Sequence, residues 1–397
     1  MGMVANSFSI LLERSGYYGL RGILTLYMVS ESLSLELDTT FRLYGFFIAI
    51  VALTPIIGSV IGDLLSLHRW SCFIGNTLQA VGAFVLCFDT YFSLIAGLGI
   101  IALGSGLYKP NMLARIGKLY LSNTNILDSI FSVYMIAVNV GAFFGLVLIA
   151  LIAEKVGYQA SFAVIGLLLL ISGVAALLSK DKSKVNSWEN TNYPLEIEIR
   201  ALLIISAMIG SGLFWVAYEI EWNNLTIDAN ELFKDHSLPI SYTSISAYMV
   251  IPVLMVLAII WYSKYYSHLA KFVIAFICAI LGVLLSILAI TSGMFNLGMF
   301  LLICLLFAVA EAHITPVLFS LVTKYLHWRY LSMGMAATGV IAYGMSQALR
   351  YLPYHTLEGH FQLYLAIAIL ITGLVGFVVL YFVVRDKKSE SCDLPLS

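Results

Sequence analysis

The sequence predicts an all-α integral membrane protein, with twelve transmembrane helices in two six-helix bundles. Three observations predict it. Of 397 residues, 61% are hydrophobic and only 11% are charged, with a mean hydropathy of +0.95. A soluble domain carries about 45–50% apolar and about 25% charged residues. Apolar runs long enough to cross a bilayer, about 20 residues each, recur with short polar breaks. The longest polar stretch, Ser179–Ile199, leaves six such runs on either side.

The same numbers exclude other classes. A net charge of −1 gives no basic footprint for nucleic acid. The runs are too long, and too rarely alternating, for a transmembrane barrel. Five cysteines make no disulfide framework: Cys72, Cys87, Cys278 and Cys304 sit in apolar runs and Cys392 in a polar tail, where buried thiols act as small hydrophobes. No HExxH, CxxC or phosphate loop suggests an enzyme, and no cofactor or metal is expected. Glu13, Arg14 and Arg21 interrupt the first apolar run, which no secretory signal core tolerates, so this helix is expected to persist.

The first helix is expected over about Phe8–Ser30, followed by an acidic loop. The second spans Leu43–Leu65, the third Trp70–Phe88 and the fourth Tyr91–Met112. The fifth runs from Ile130 to Ala153 and the sixth from Ala160 to Leu178. After the polar stretch come Arg200–Trp222, Ser244–Tyr262, Phe272–Thr291, Leu297–Thr323, Leu331–Leu352 and Phe361–Val384. The expected organisation is an N-terminal bundle over 1–179, a cytoplasmic linker over 180–199, a C-terminal bundle over 200–385 and a cytoplasmic tail over 386–397.

Loop charge orients the chain. With both termini inside, the inner loops hold Arg69, Arg115, Lys118, Lys180, Lys182, Lys184, Arg200, Lys264, Lys271, Lys324, Arg329, Arg385, Lys387 and Lys388. The outer loops hold only Arg42, Lys155, Lys234 and Arg350. Positive residues favour the cytoplasmic side, so a multi-pass protein of the inner (plasma) membrane with cytoplasmic termini is expected, most simply a monomer.

The remaining basic residues, Arg14, Arg21 and Lys109, fall inside helices, with the acids Glu13, Glu219, Glu221 and Glu311. A charge at a helix centre costs about 2.5–3.5 kcal/mol on insertion scales, and intramembrane ionisable groups mark solute and proton pathways. The plainer alternative is that such pairs only lock helices together. Arg14, Tyr17, Tyr18 and Arg21 recur at i, i+3, i+4 and i+7 on one face. Guanidiniums grip carboxylates bidentately, and the phenols add hydrogen bonds. By themselves the tyrosines fit an interfacial belt equally well. Trp215, Tyr218, Glu219 and Trp222 repeat this spacing on the seventh helix. Glu311 precedes Thr315-Pro316 on the tenth, where a proline opens the backbone hydrogen bonding. His313, two residues on, points away and reads as structural. Asn139 lies beside Gly141, which suits close helix packing or a hydrogen bond across helices.

The stretch Glu13-Arg14-Ser15-Gly16-Tyr17-Tyr18-Gly19-Leu20-Arg21 resembles the ExxERFxYYGxR motif of the proton-dependent oligopeptide transporters, a family with the major facilitator fold. Gly104–Asn111 resembles its GxGxxKPN, and Phe131-Ser132-Val133-Tyr134 with Asn139 and Gly141 resembles FSxFYxxINxG. Phe214-Trp215 with Tyr218-Glu219 is similar to FWxxxEQ, and Glu311–Pro316 to ExxxSP. The resemblance implies proton-coupled symport of di- and tripeptides by alternating access, the solute lying between two bundles. It implies that Arg21 and Lys109, with Tyr17 and Tyr18, bind the peptide's carboxylate end and that Asn139 and Glu311 hold its amino end, with Arg14 and Trp215 as further candidate binding residues. Arg21–Glu219 and Lys109–Glu311 would be salt bridges between bundles, and Glu13, Glu219 and Glu311 the proton-linked acids.

The sequence departs from the family at Ile10, where the motif has its first Glu, a residue tied to proton coupling. It departs also at Ser15, at Ala52 for a second-helix tyrosine, and at Ile220, which Glu221 follows. Gly58, Asp63 and Arg69 keep a general facilitator motif that Ser59 and Leu64 break. The alternative is a facilitator for another zwitterionic or anionic solute, such as an amino acid, an organic acid or a siderophore-like compound, with altered or absent proton coupling.

Overall fold

The computed structural model describes residues 2–65, 67–179, 195–232, 243–350 and 359–392, without side chains at 227–232, 243–247, 350, 359–360 and 385–392. Most of the expected linker, 180–194, and the chain end, 393–397, lie outside the described residues, as do the side chains of Lys234, Arg350 and Cys392. Twelve α-helices occur among the described residues: α1 Gly2–Val29, α2 Leu37–Leu65, α3 His68–Leu86, α4 Tyr91–Leu119, α5 Leu127–Lys155, α6 Tyr158–Leu178, α7 Ile197–Leu232, α8 Thr243–Ser263, α9 His268–Thr291, α10 Leu297–Tyr325, α11 Leu331–Arg350 and α12 Gly359–Cys392.

Several helices outrun the apolar windows. α4 continues past Met112 to Leu119, α9 begins at His268 rather than Phe272, and α12 continues past Val384 to Cys392. Hydropathy senses the hydrocarbon layer, whereas backbone hydrogen bonding continues into the polar interface. Among the described residues, α2, α4 to α7, α9, α10 and α12 are long and apolar enough to cross a membrane. The other four carry more polar sequence or a shorter apolar stretch: α1 holds Glu13, Arg14 and Arg21, α3 holds Asn76 and Gln79, the apolar part of α8 is Tyr248–Ser263, and α11 holds Ser332, Thr338, Ser346, Gln347 and three glycines.

The chain divides into two compact units. The first comprises 1–124, 133–191 and 327–340, the second 125–132, 192–326 and 341–397. In the first unit α3 packs on α4 and α6, α2 on α4, and α1 on α6. Small residues set these approaches. A Cβ on Gly82 of α3 would meet the Gly97 carbonyl oxygen at 2.6 Å, and one on Gly97 would meet the Gly82 carbonyl oxygen at 2.8 Å. Close backbone approach of this kind drives association in lipid, where the hydrophobic effect contributes little between helices.

Burial is inverted relative to a soluble protein. Exposed positions include Phe46, Leu103, Phe144, Ile171, Ile259 and Val379, while Asn6, Ser9, Asn76, Gln79, Asn111 and Ser172 are buried. Several of the buried groups satisfy one another: Ser9 Oγ lies 2.9 Å from Tyr108 Oη and 3.0 Å from Ser172 Oγ, and Asn76 Nδ2 donates to Ser172 Oγ at 2.7 Å. In hydrocarbon an unmatched polar group costs several kcal/mol. Cys72, Cys87, Cys278 and Cys304 are free thiols, wholly or partly buried.

Asp63, singled out in the sequence, sits at the N-terminus of α11. Its carboxylate accepts from the Ser332 and Met333 amides at 3.2 and 2.9 Å, the favourable end of the helix dipole for an anion. His68 Nε2 lies 3.2 Å from Asp63 and 2.8 Å from Lys118 Nζ. In the second unit α9 packs on α10 and α12, α12 on α7, and α10 on α7 and α8. There Asp128 pairs with Lys271, and His268 Nε2 lies 3.4 Å from the same carboxylate.

Candidate binding site

The first unit concentrates the expected cations on α1 and α4. Glu13 and Arg14 are both buried, Glu13 completely. The Arg14 guanidinium grips the Glu13 carboxylate with two donors, Nε to Oε2 and Nη2 to Oε1, the latter at 2.7 Å. Arg14 also lies over the Tyr17 ring, 5.0 Å from its centroid. Its charge is thus neutralised within α1, and removing either partner would strand a buried ion.

Arg21 is placed differently. Its guanidinium lies 5.9 Å from the Tyr17 centroid, 5.8 Å from Tyr18 and 6.0 Å from Tyr44, and its Nε donates to Tyr44 Oη at 3.1 Å. Phenol faces hold a cation without neutralising it. Lys109, on α4 beside Pro110, is solvent-accessible, and lies within the electrostatic reach of Arg14 and Glu13. Neither Arg21 nor Lys109 forms an ion pair with a carboxylate among the described residues. Tyr134 of α5 completes the group, within reach of Arg14, Glu13 and Tyr18. Arg21 is therefore ringed by phenols without a carboxylate partner among the described residues, and Lys109 stands within reach of the Arg14–Glu13 pair.

α1 reaches α5 because the latter is small where they meet. A Cβ on Gly141 would lie 2.4 Å from the Leu11 carbonyl oxygen, and one on Gly145 2.2 Å from that of Ser15. Ser15, standing where the family motif has Phe, donates to the Gly141 carbonyl at 2.9 Å. Asn139, two residues before Gly141 on α5, turns its amide back onto its own helix, Nδ2 to the Met135 carbonyl at 2.9 Å.

The second unit holds the remaining candidates. Trp215 packs edge-on against Tyr218, centroids 5.2 Å apart, and Tyr218 stacks on Trp222 at 5.8 Å. Glu219 accepts from Ser346 of α11. Glu221, fully buried, accepts from Ser286 of α9. Glu311 lies one turn before Pro316, partly buried, and makes no hydrogen bond or ion pair among the described residues. His313 turns Nδ1 to the Val309 carbonyl at 2.8 Å and packs against Trp261 at 5.3 Å, a structural setting, as its offset from Glu311 suggests.

Reading one helix at a time missed three groups. Tyr44 lies outside the first-helix stripe, at the start of α2. Tyr134 stood inside a recognised motif but carried no spacing signal of its own. Ser346, partner to Glu219, is an ordinary serine in sequence. Among the described residues no cluster of three or more His, Cys, Asp or Glu side chains could hold a metal ion.

Residues 7–349 match the family model of the Major Facilitator Superfamily. The chain is 31% identical over 225 residues to dipeptide and tripeptide permease B of Aliivibrio fischeri (strain MJ11), covering 55% of this chain and 45% of the relative. It is 34% identical over 173 residues to dipeptide and tripeptide permease A of Escherichia coli (strain K12), covering 42% and 34%. These matches take in about half or less of the length of the curated relatives. Two crystal structures of transporters described as of the POT family share the fold. One, in complex with a thioalcohol-conjugated peptide, superposes with a TM-score of 0.66 at 18% identity over 97% of this chain and 96% of its own. The other, in complex with 5-aminolevulinic acid, gives 0.65 at 19% identity over 96% and 95%.

Proposed function

This chain belongs to the Major Facilitator Superfamily, and from that premise we propose that it is a proton-coupled symporter of di- and tripeptides working by alternating access. One observation carries the reading: among the described residues, Arg21 and Lys109 have no carboxylate partner while Arg14 has one. Unpaired cations inside a membrane protein are costly unless a solute neutralises them. A peptide's terminal carboxylate meets that need, with Arg21 offering the fork, Lys109 a second charge, and Tyr17, Tyr18 and Tyr44 hydrogen-bonding hydroxyls. Glu311 suits the protonated amino end and the proton itself, since it has no competing partner among the described residues. The names of the relatives, dipeptide and tripeptide permeases, support the same solute class.

We further propose that the protein acts as a monomer in the inner membrane with cytoplasmic termini, catalyses no covalent chemistry, and joins two six-helix bundles through a linker near 180–199. The second reading, a carrier of single amino acids or other small zwitterions, draws on Ile10 and Ala52, which leave a less polar pocket and remove one acid. The deciding experiment is uptake into proteoliposomes under an inward proton gradient, with labelled di- and tripeptides, amino acids and organic acids in parallel. Gradient-driven accumulation of dipeptide supports the proposal. Accumulation of amino acids alone favours the second reading, and equal uptake with and without the gradient removes proton coupling.

A further inference from the structure

The second unit contains a cavity that the proposed transport reaction does not use. It is a partly open cavity of about 330 Å³ between the starts of α7 and α9 and the ends of α10 and α12. Its lining combines polar residues, Tyr265, Ser267, His268, Lys324 and Tyr325, with aliphatic ones, Leu195, Leu203, Leu269, Leu321 and Val384. Lys324 Nζ stands 4.8 Å from the Tyr265 ring centroid and donates to Tyr265 Oη at 3.1 Å. That hydroxyl already accepts, so its own proton points to a further acceptor. Partial burial and the nearby Asp128 carboxylate push the phenol up to about 12, so it keeps that proton at neutral pH.

The Asp128 carboxylate is held by Lys271 and by His268. Arg200, one turn from Leu203 on α7, donates its Nη1 to the Tyr325 carbonyl at 3.4 Å. Glu196 and Glu198 at the start of α7 are exposed and do not line the cavity. Tyr262, Tyr265 and Tyr266 are exposed beside it, as tyrosines are at a membrane–water boundary. The site thus brings a lysine ammonium and hydroxyl donors together with leucines, complementary to an anion that carries its own hydrocarbon.

We propose that the cavity lined by Lys324, Tyr265 and Leu203 binds the headgroup of an anionic phospholipid, the phosphodiester against Lys324 and Tyr265 and the first methylenes against Leu203 and Leu321. The volume is at the lower end of the roughly 300–1,000 Å³ typical of small-molecule sites; it admits a headgroup while the chains stay in the bilayer. The site is independent of peptide recognition and stands whether or not the transport proposal does.

The test titrates the full-length protein in detergent, with bound lipid counted by native mass spectrometry. Phosphatidylglycerol, phosphatidylcholine and inorganic phosphate are separate arms. The expected result is saturable phosphatidylglycerol binding, weakened about tenfold or more by Lys324→Glu, through charge reversal, and similarly by Leu203→Trp, through filling. Lys264→Glu, the same charge change at an exposed neighbour outside the cavity, should leave it unchanged. Lys324→Gln, a milder change, should give an intermediate loss, and thermal unfolding of each variant separates misfolding from lost binding. Equal weakening by Lys264→Glu would indicate diffuse attraction and overturn the site. So would equally tight phosphatidylcholine, or inorganic phosphate binding as tightly as the lipid and indifferent to Leu203→Trp.

Discussion

Glu13 and Arg14, neighbours in sequence, close a two-donor ion pair across adjacent positions of one helix. Adjacent helical residues point about 100° apart and do not ordinarily face each other; only the length of the arginine stem lets its fork turn back onto the carboxylate. The consequence reaches the whole binding face. It takes Arg14 out of the set of available cations, so that under the proposed function Arg21 and Lys109 would meet the solute.

Glu13→Gln should therefore act first on stability. Breaking a buried pair by removing one partner costs about 3–5 kcal/mol, whereas removing both costs less. Thermal unfolding of the detergent-solubilised protein should fall clearly for Glu13→Gln and recover in part for Glu13→Gln with Arg14→Leu. Equal losses in the single and double variants would mean the pair is not the stabilising unit.

Arg21→Ala should abolish measurable dipeptide binding, and Arg21→Lys should restore little of it, because a point charge replaces a planar fork. Isothermal titration with a dipeptide reads this directly. Unchanged affinity in either variant would separate Arg21 from the solute.

Tyr44→Phe removes the single hydroxyl that holds Arg21 Nε at 3.1 Å while keeping the ring beneath the guanidinium. A net hydrogen bond contributes about 0.5–1.5 kcal/mol, so dipeptide affinity should weaken roughly three- to tenfold, with the fold unaffected. A loss as large as that of Arg21→Ala would show that Tyr44 contacts the solute itself.

Glu311→Gln should eliminate uphill uptake driven by a proton gradient while sparing part of the exchange of labelled for unlabelled peptide, since the amide keeps the shape but carries no proton. Full accumulation by this variant in proteoliposomes would remove Glu311 from coupling.

Asp128→Asn should destabilise the second unit, because it leaves Lys271, buried with it, without its counter-charge. Asp128→Asn with Lys271→Met should regain part of the loss, a coupling that a double-mutant cycle of unfolding temperatures measures. Strict additivity would show the pair to be energetically idle.

Much of this protein could be read from its sequence because the bilayer is a simple solvent. It demands long apolar helices, makes every interior charge conspicuous, and so exposed the helix order, the stripe Arg14–Tyr17–Tyr18–Arg21 and the placement of Glu311 ahead of Pro316. Helical periodicity, however, projects one helix at a time. It grouped Arg14 with Arg21 as equivalent forks, and only the folded chain divides them, pairing one with Glu13 and setting the other among Tyr17, Tyr18 and Tyr44. It was silent on Asp128 with Lys271, which lie 143 residues apart, and on the cavity beside Lys324. Those depend on how far each helix rotates and how closely glycines let it approach its neighbour, and neither quantity is written in any single segment.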